Sequence, residues 1–134
     1  MLGEQLYQAQ GKITGNRVLD AASYKIESSY SVQGKLNGID VIEMGTFWAV
    51  MRPSGILYGE DEAVVMTMDG DVAQGKPIGV GRFVGPGKIS YRGAVVYGDN
   101  CTGKLAFMNG KCLLFEVEVD QMNATISIKA WEWK

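Results

Sequence analysis

The chain has 134 residues, 46% of them hydrophobic, and a formal net charge of −2, the size and composition of one domain with a buried core. It contains no histidine, so the commonest general base, the commonest metal ligand and every histidine-activated nucleophile are missing. A weakly acidic balance without a basic patch argues against nucleic acid, and no apolar run reaches the ~18 residues of a membrane-spanning helix.

Residues 1–10 carry no clear period and read as an N-terminal arm. They also lack the basic and apolar regions of a signal peptide. A cytoplasmic protein is therefore expected, with Cys101 and Cys112 as reduced, inert thiols. Residues 12–19 have weak strand character, and 20–23 form a turn. In 24–36, Tyr24, Ile26, Tyr30, Val32 and Leu36 alternate with Lys25, Glu27, Ser29, Ser31, Gln33 and Lys35, the period of a half-buried strand. Asn37-Gly38 predicts a type I′ hairpin into strand 39–51. Arg52-Pro53-Ser54-Gly55 turns the chain into strand 56–68, and Asp69-Gly70 into strand 71–83. Gly85-Pro86-Gly87 leads to strand 88–98. Residues 104–110 read as a short helical turn closed by Asn109-Gly110. Strands 112–119 and 124–133 finish the count at eight, an even number that lets an antiparallel sheet close on itself. The fold class is all-β, a closed eight-stranded antiparallel barrel over residues 11–134. The 18 glycines, about twice ordinary usage, suit bent strands.

Loop lengths fix which residues point inward. Two-residue loops at 37–38, 53–54 and 69–70, a three-residue loop at 85–87 and a four-residue loop at 120–123 give one continuous inner face. That face holds Ile26, Tyr30, Val32, Val41, Phe47, Val64, Met66, Phe83, Ile89, Val95, Leu113, Phe115, Val117, Ile126 and Ile128. It also holds three acids, Glu43, Glu60 and Glu62, with no inward cation beside Glu60. Buried acids without cations titrate high and can serve as general acid or base. Glu60 is the candidate catalytic residue, next to Phe47 and Gly79. Tyr30 neighbours Gly45 and Tyr58 neighbours Gly81, while Tyr24, Tyr91 and Tyr97 also face inward. Gly81 is covered by Tyr91, whereas the pair Gly79–Gly93 has no such cover. The candidate ligand-binding set is Tyr30, Glu43, Phe47, Tyr58, Glu60, Glu62, Gly79, Tyr91 and Gly93. An open, wet barrel end would leave the acids merely solvated, and core packing alone accounts for most of the tyrosines. The Gly79-x-Gly81 run precedes a turn and another strand, so it is no dinucleotide fingerprint. Without Cys-x-x-Cys spacing or histidine, no metal or other cofactor is expected.

The stretch 79–93, with its Gly79-x-Gly81-Arg82-Phe83-x-Gly85 core, resembles the corresponding hairpin of the allene oxide cyclase and dirigent-like barrels. Gly59-Glu60, the 104–110 turn and the Trp131-Glu132-Trp133-Lys134 ending are similar to small bacterial proteins of that shape. The resemblance implies an eight-stranded barrel with an interior cavity, often assembled into oligomers. In the cyclases that cavity holds an oxylipin epoxide and guides its ring closure.

Three functions compete. One is a barrel binding a small, mainly apolar molecule in its interior. Another is an isomerase or cyclase using an interior glutamate, and the third a non-catalytic scaffold for assembly. An outward set of Ile42, Met44, Trp48, Val50, Leu57, Ala63, Val65, Ile78, Val80, Ala94 and Val96 predicts a homo-oligomer through the outer face of strands 39–51 and 56–68.

Overall fold

The computed structural model describes residues 2–134. Eight strands follow one another: β1 (Leu2–Asp20), β2 (Lys25–Leu36), β3 (Ile39–Met51), β4 (Leu57–Met66), β5 (Val72–Gly85), β6 (Lys88–Tyr97), β7 (Cys112–Asp120) and β8 (Thr125–Trp133). Each pairs antiparallel with the next, and β1 pairs with β8 to close the barrel.

The closing strand corrects the expected arm. Of residues 1–10, Met1 lies outside the described residues, and the rest is the first half of β1. There Tyr7 pairs with both Leu36 and Ala130, and Ala9 with Gly34 and Ile128. Tyr7 and Ala9 are buried while Gln8 and Gln10 are exposed. This alternation is short and interrupted by register shifts between Leu2, Gln5 and Tyr7. It becomes legible only when β2 and β8 supply partners on both sides.

Two turns decide the orientation of β4. Asn37 and Gly38 both take positive φ, as a type I′ hairpin demands, and β2–β3 pairing follows the expected register with Tyr30 opposite Gly45. The next loop is one residue longer than expected. The Arg52 N–H donates to the Ile56 carbonyl at 2.8 Å, so Pro53-Ser54-Gly55 forms the loop and Gly55 takes φ of 85°. The β4–β5 loop is also one residue longer, with the Thr67 N–H donating to the Asp71 carbonyl at 2.9 Å and Gly70 at φ 95°. The first extra residue turns β4 over and the second turns the chain back. Leu57, Gly59 and Val65 are therefore buried, and Asp61 and Ala63 share their inner face. Tyr58, Glu60, Glu62, Val64 and Met66 lie on the outer face instead of the inner one. From β5 onward the expected face holds: Gly79 pairs with Gly93, Gly81 with Tyr91 and Val117 with Ile128. Between β5 and β6, Gly85 pairs with Lys88 across a two-residue turn, and a bulge at Val84 keeps Phe83 opposite Ile89.

Two aromatic residues expected inside sit at the rim. Tyr24 lies in the β1–β2 turn with φ of 57° and is 51% exposed, and Phe83 is 44% exposed. The expected helical turn is a 3₁₀ segment, Gly103–Met108, whose Leu105 and Met108 are fully buried in the core. It belongs to the β6–β7 connection and is tied to the β4–β5 turn. The Thr102 N–H donates to the Val72 carbonyl at 2.9 Å, the Lys104 N–H donates to Asp71 at 3.0 Å, and Lys104 pairs with Asp69 at 3.0 Å. This segment plugs one end of the barrel.

Candidate functional site

The interior is divided by three rings. Tyr30 and Phe47 have centroids 6.1 Å apart, and Phe47 meets Tyr91 edge-on at 6.0 Å. Phe47 and Tyr91 border both interior cavities. The outer cavity, about 230 Å³, opens toward Val18, Tyr24 and Phe83 at the unplugged end. The inner chamber, about 90 Å³, lies between the rings and the plugged end.

Four polar side chains from four consecutive strands meet at the wall of the inner chamber. The Tyr7 hydroxyl of β1 donates to Glu43 Oε1 of β3 at 2.8 Å. The Tyr30 hydroxyl of β2 lies 2.5 Å from Glu43 Oε2 and 2.6 Å from Asp61 Oδ2 of β4. A phenol has one proton to donate, so it cannot satisfy two carboxylates at once. With both contacts in place, one carboxyl carries a proton and donates it to the Tyr30 oxygen. Glu43 and Asp61 thus form one acid pair bridged by a phenol.

The electrostatics agree with that geometry. Glu43 is buried, and desolvation pushes its carboxyl above the usual range against the hydrogen bonds from Tyr30 and Tyr7. Asp61 is pushed up to about 7, first by desolvation and also by the charge of Glu43, with hydrogen bonds from Tyr30 and from the Glu62 backbone N–H opposing. Burial and the neighbouring Glu43 hold Tyr7 and Tyr30 well above the ordinary phenol range. Tyr97 is raised by burial, then by Glu43. Among the described residues, Asp61 Oδ1 is buried with no hydrogen-bond partner, which is rare for a buried carboxyl oxygen.

The glycines shape the chamber by close approach. A Cβ on Gly45 would lie 2.6 Å from Cζ of Tyr30, so only glycine lets that ring lie across β3 to reach Asp61. A Cβ on Gly93 would lie 2.5 Å from Cζ of Phe115. The Gly79–Gly93 pair is therefore covered, by a ring from β7, where an open gap was expected.

Of the residues singled out from sequence, Tyr30, Glu43, Phe47, Gly79 and Tyr91 border the inner chamber. Gly93 lies beneath Phe115. Tyr58, Glu60 and Glu62 are corrected to the outer face, because of the longer 53–55 loop. Glu60 borders the chamber by its place in β4, but its carboxylate is exposed and accepts from the Tyr58 hydroxyl at 3.0 Å. Glu62 is exposed and pairs with Lys76 at 3.6 Å. Asp61, Tyr7 and Phe115 complete the site. A signal for Asp61 stood in the sequence: Glu60-Asp61-Glu62 puts an acid on the inner face in either register, and Gly55 suits the positive φ that ends a three-residue loop. Among the described residues, no cluster of three or more potential ligands could hold a metal ion, and no helix is long and apolar enough to cross a membrane.

No protein-family model matches the chain, and no curated protein does. Among solved structures, it is similar to a conserved protein of unknown function from Rhodopseudomonas palustris, with a TM-score of 0.78 and 12% identity over 98% of this chain and 97% of that one. At that identity the likeness is one of fold, extended over the whole barrel.

Proposed function

We propose that the barrel binds a small, mainly apolar molecule in its inner chamber, with Asp61 as the polar anchor. The observation that carries this reading is Asp61 Oδ1, buried without a partner among the described residues on a residue bordering an interior cavity. A buried oxygen left unpaired costs about 1–3 kcal/mol, and a ligand's donor group would recover it. The chamber walls are otherwise apolar and aromatic, including Phe47, Val95, Phe115 and Ile128, the usual makeup of a small-molecule site. At about 90 Å³ the chamber is far below the ~300 Å³ at which drug-sized pockets begin, so the ligand is small. Native mass spectrometry of the protein taken from its source cell tests the reading. A retained small molecule that is lost on Asp61→Asn supports it; a chain that always flies empty and takes up no small probe counts against it.

The bridged acid pair favours one second reading, an isomerase in the manner of the cyclase-like barrels. The acid–base role expected of Glu60 passes in that case to Asp61 and Glu43, which hold a proton through Tyr30. Such a site would protonate a bound molecule at one atom and deprotonate it at another with no net change. Deuterium from solvent appearing in the retained molecule, and absent with Asp61→Asn, would favour catalysis over binding alone.

A further inference from the structure

We infer that the inner chamber holds a small organic cation of the alkylammonium class, bound between the acid pair and the aromatic walls; this rests on the binding reading above. The charge of the lining has one sign. Glu43 and Asp61 face the chamber together with the phenols Tyr7, Tyr30, Tyr91 and Tyr97, and among the described residues that border it none is Lys or Arg. An anionic ligand would meet two acids, and a purely apolar one would leave Asp61 Oδ1 unpaired. A turn of the Asp61 carboxyl presents that oxygen to an ammonium N–H in the chamber, and the rings of Phe47, Tyr91 and Phe115 suit the alkyl groups around the charge.

The proton count is consistent with the same occupant. Before a cation binds, one of the two carboxyls holds a proton, because Tyr30 has a single hydrogen for two acceptors. A bound cation replaces that proton. Tyr30 then donates to Glu43, and Asp61 is left as a carboxylate facing the ammonium. The site's charge is unchanged, and one proton leaves for solvent. Size narrows the class. The chamber is about 90 Å³, against about 150 Å³ for a cavity that holds benzene, so it takes about three or four non-hydrogen atoms.

Isothermal titration calorimetry of the full chain with ethylammonium and its neutral isostere ethanol tests the inference. Buffers of differing ionisation enthalpy count the protons. The expected result is at least about tenfold tighter binding of the cation, with about one proton released per cation near pH 6. Asp61→Asn should abolish both the preference and the release. Asp40→Asn, which removes an exposed acid paired with Lys35, should leave both unchanged. Equal or tighter binding of ethanol would overturn the cation while leaving small-molecule binding intact. A cation preference that survives Asp61→Asn would place the cation elsewhere and sink the inference. Binding of neither probe would defeat both readings.

Discussion

Replacing Asp61 with asparagine should stabilise the fold at pH 8. In the folded chain the Asp61 carboxyl is raised from 3.8 to about 7, so the folded state holds a proton that the unfolded chain gives up much earlier. Between those two pH values the unfolded state binds fewer protons, and stability falls as pH rises. At about 1.36 kcal/mol per pH unit, the full gap is a loss of about 4 kcal/mol by pH 8, to which the raised Glu43 adds in the same direction. Asparagine removes the charge and keeps the network. Its amide donates to the Tyr30 oxygen, and the Tyr30 hydroxyl remains free to donate to Glu43. Urea denaturation at pH 5, 6, 7 and 8 measures this through the midpoint at constant slope. The chain has no histidine to titrate in that window. The lowered acids Asp69, at about 2, and Asp120 lose their contribution only at lower pH. The wild-type midpoint should fall across the series, and that of D61N should fall much less and lie above it at pH 8. A wild-type midpoint that is flat from pH 5 to 8, with D61N less stable throughout, would refute the buried acid pair.

Glu60→Gln should change stability by less than about 0.5 kcal/mol at any pH in the same assay, as expected of an exposed acid, and should leave ligand retention intact. Phe47→Ala joins the two cavities across the ring pair; it should cost about 3–5 kcal/mol in urea denaturation and admit aromatic probes too large for the wild-type chamber, as calorimetry would show. The outer face should pair with a second copy of the chain. Its exposed residues Met44, Ile78, Val80 and Val96 flank a β4 that presents Glu60 and Glu62 rather than Leu57, Ala63 and Val65. The contact is therefore expected to centre on β5 and β6, and light scattering should give a dimer or larger that Val80→Lys dissociates.

Local chemistry in the sequence was enough for the strands and most of their facing. Asn37-Gly38 dictates its hairpin, period-two alternation defines β2, and the inner face of β5 through β8 follows from parity along the chain. The bridging of neighbours by Tyr30 and Gly45, and the inward Glu43, were legible for the same reason: a type I′ turn allows one register. What tertiary structure alone decided was β4, the closing strand and the pairing of the acids. A single residue in the 53–55 loop inverts β4, exchanging Glu60 and Glu62 for Asp61, because side chains alternate with a period of two. A compensating residue at 68–70 restores the later strands, so the apolar pattern beyond gives no warning of the inversion. Residues 2–10 become strand only when β8 returns to pair with them. The shared proton of Glu43, Tyr30 and Asp61 joins residues 13 and 31 positions apart, brought within reach by barrel curvature and by a glycine at 45 that leaves room for a ring.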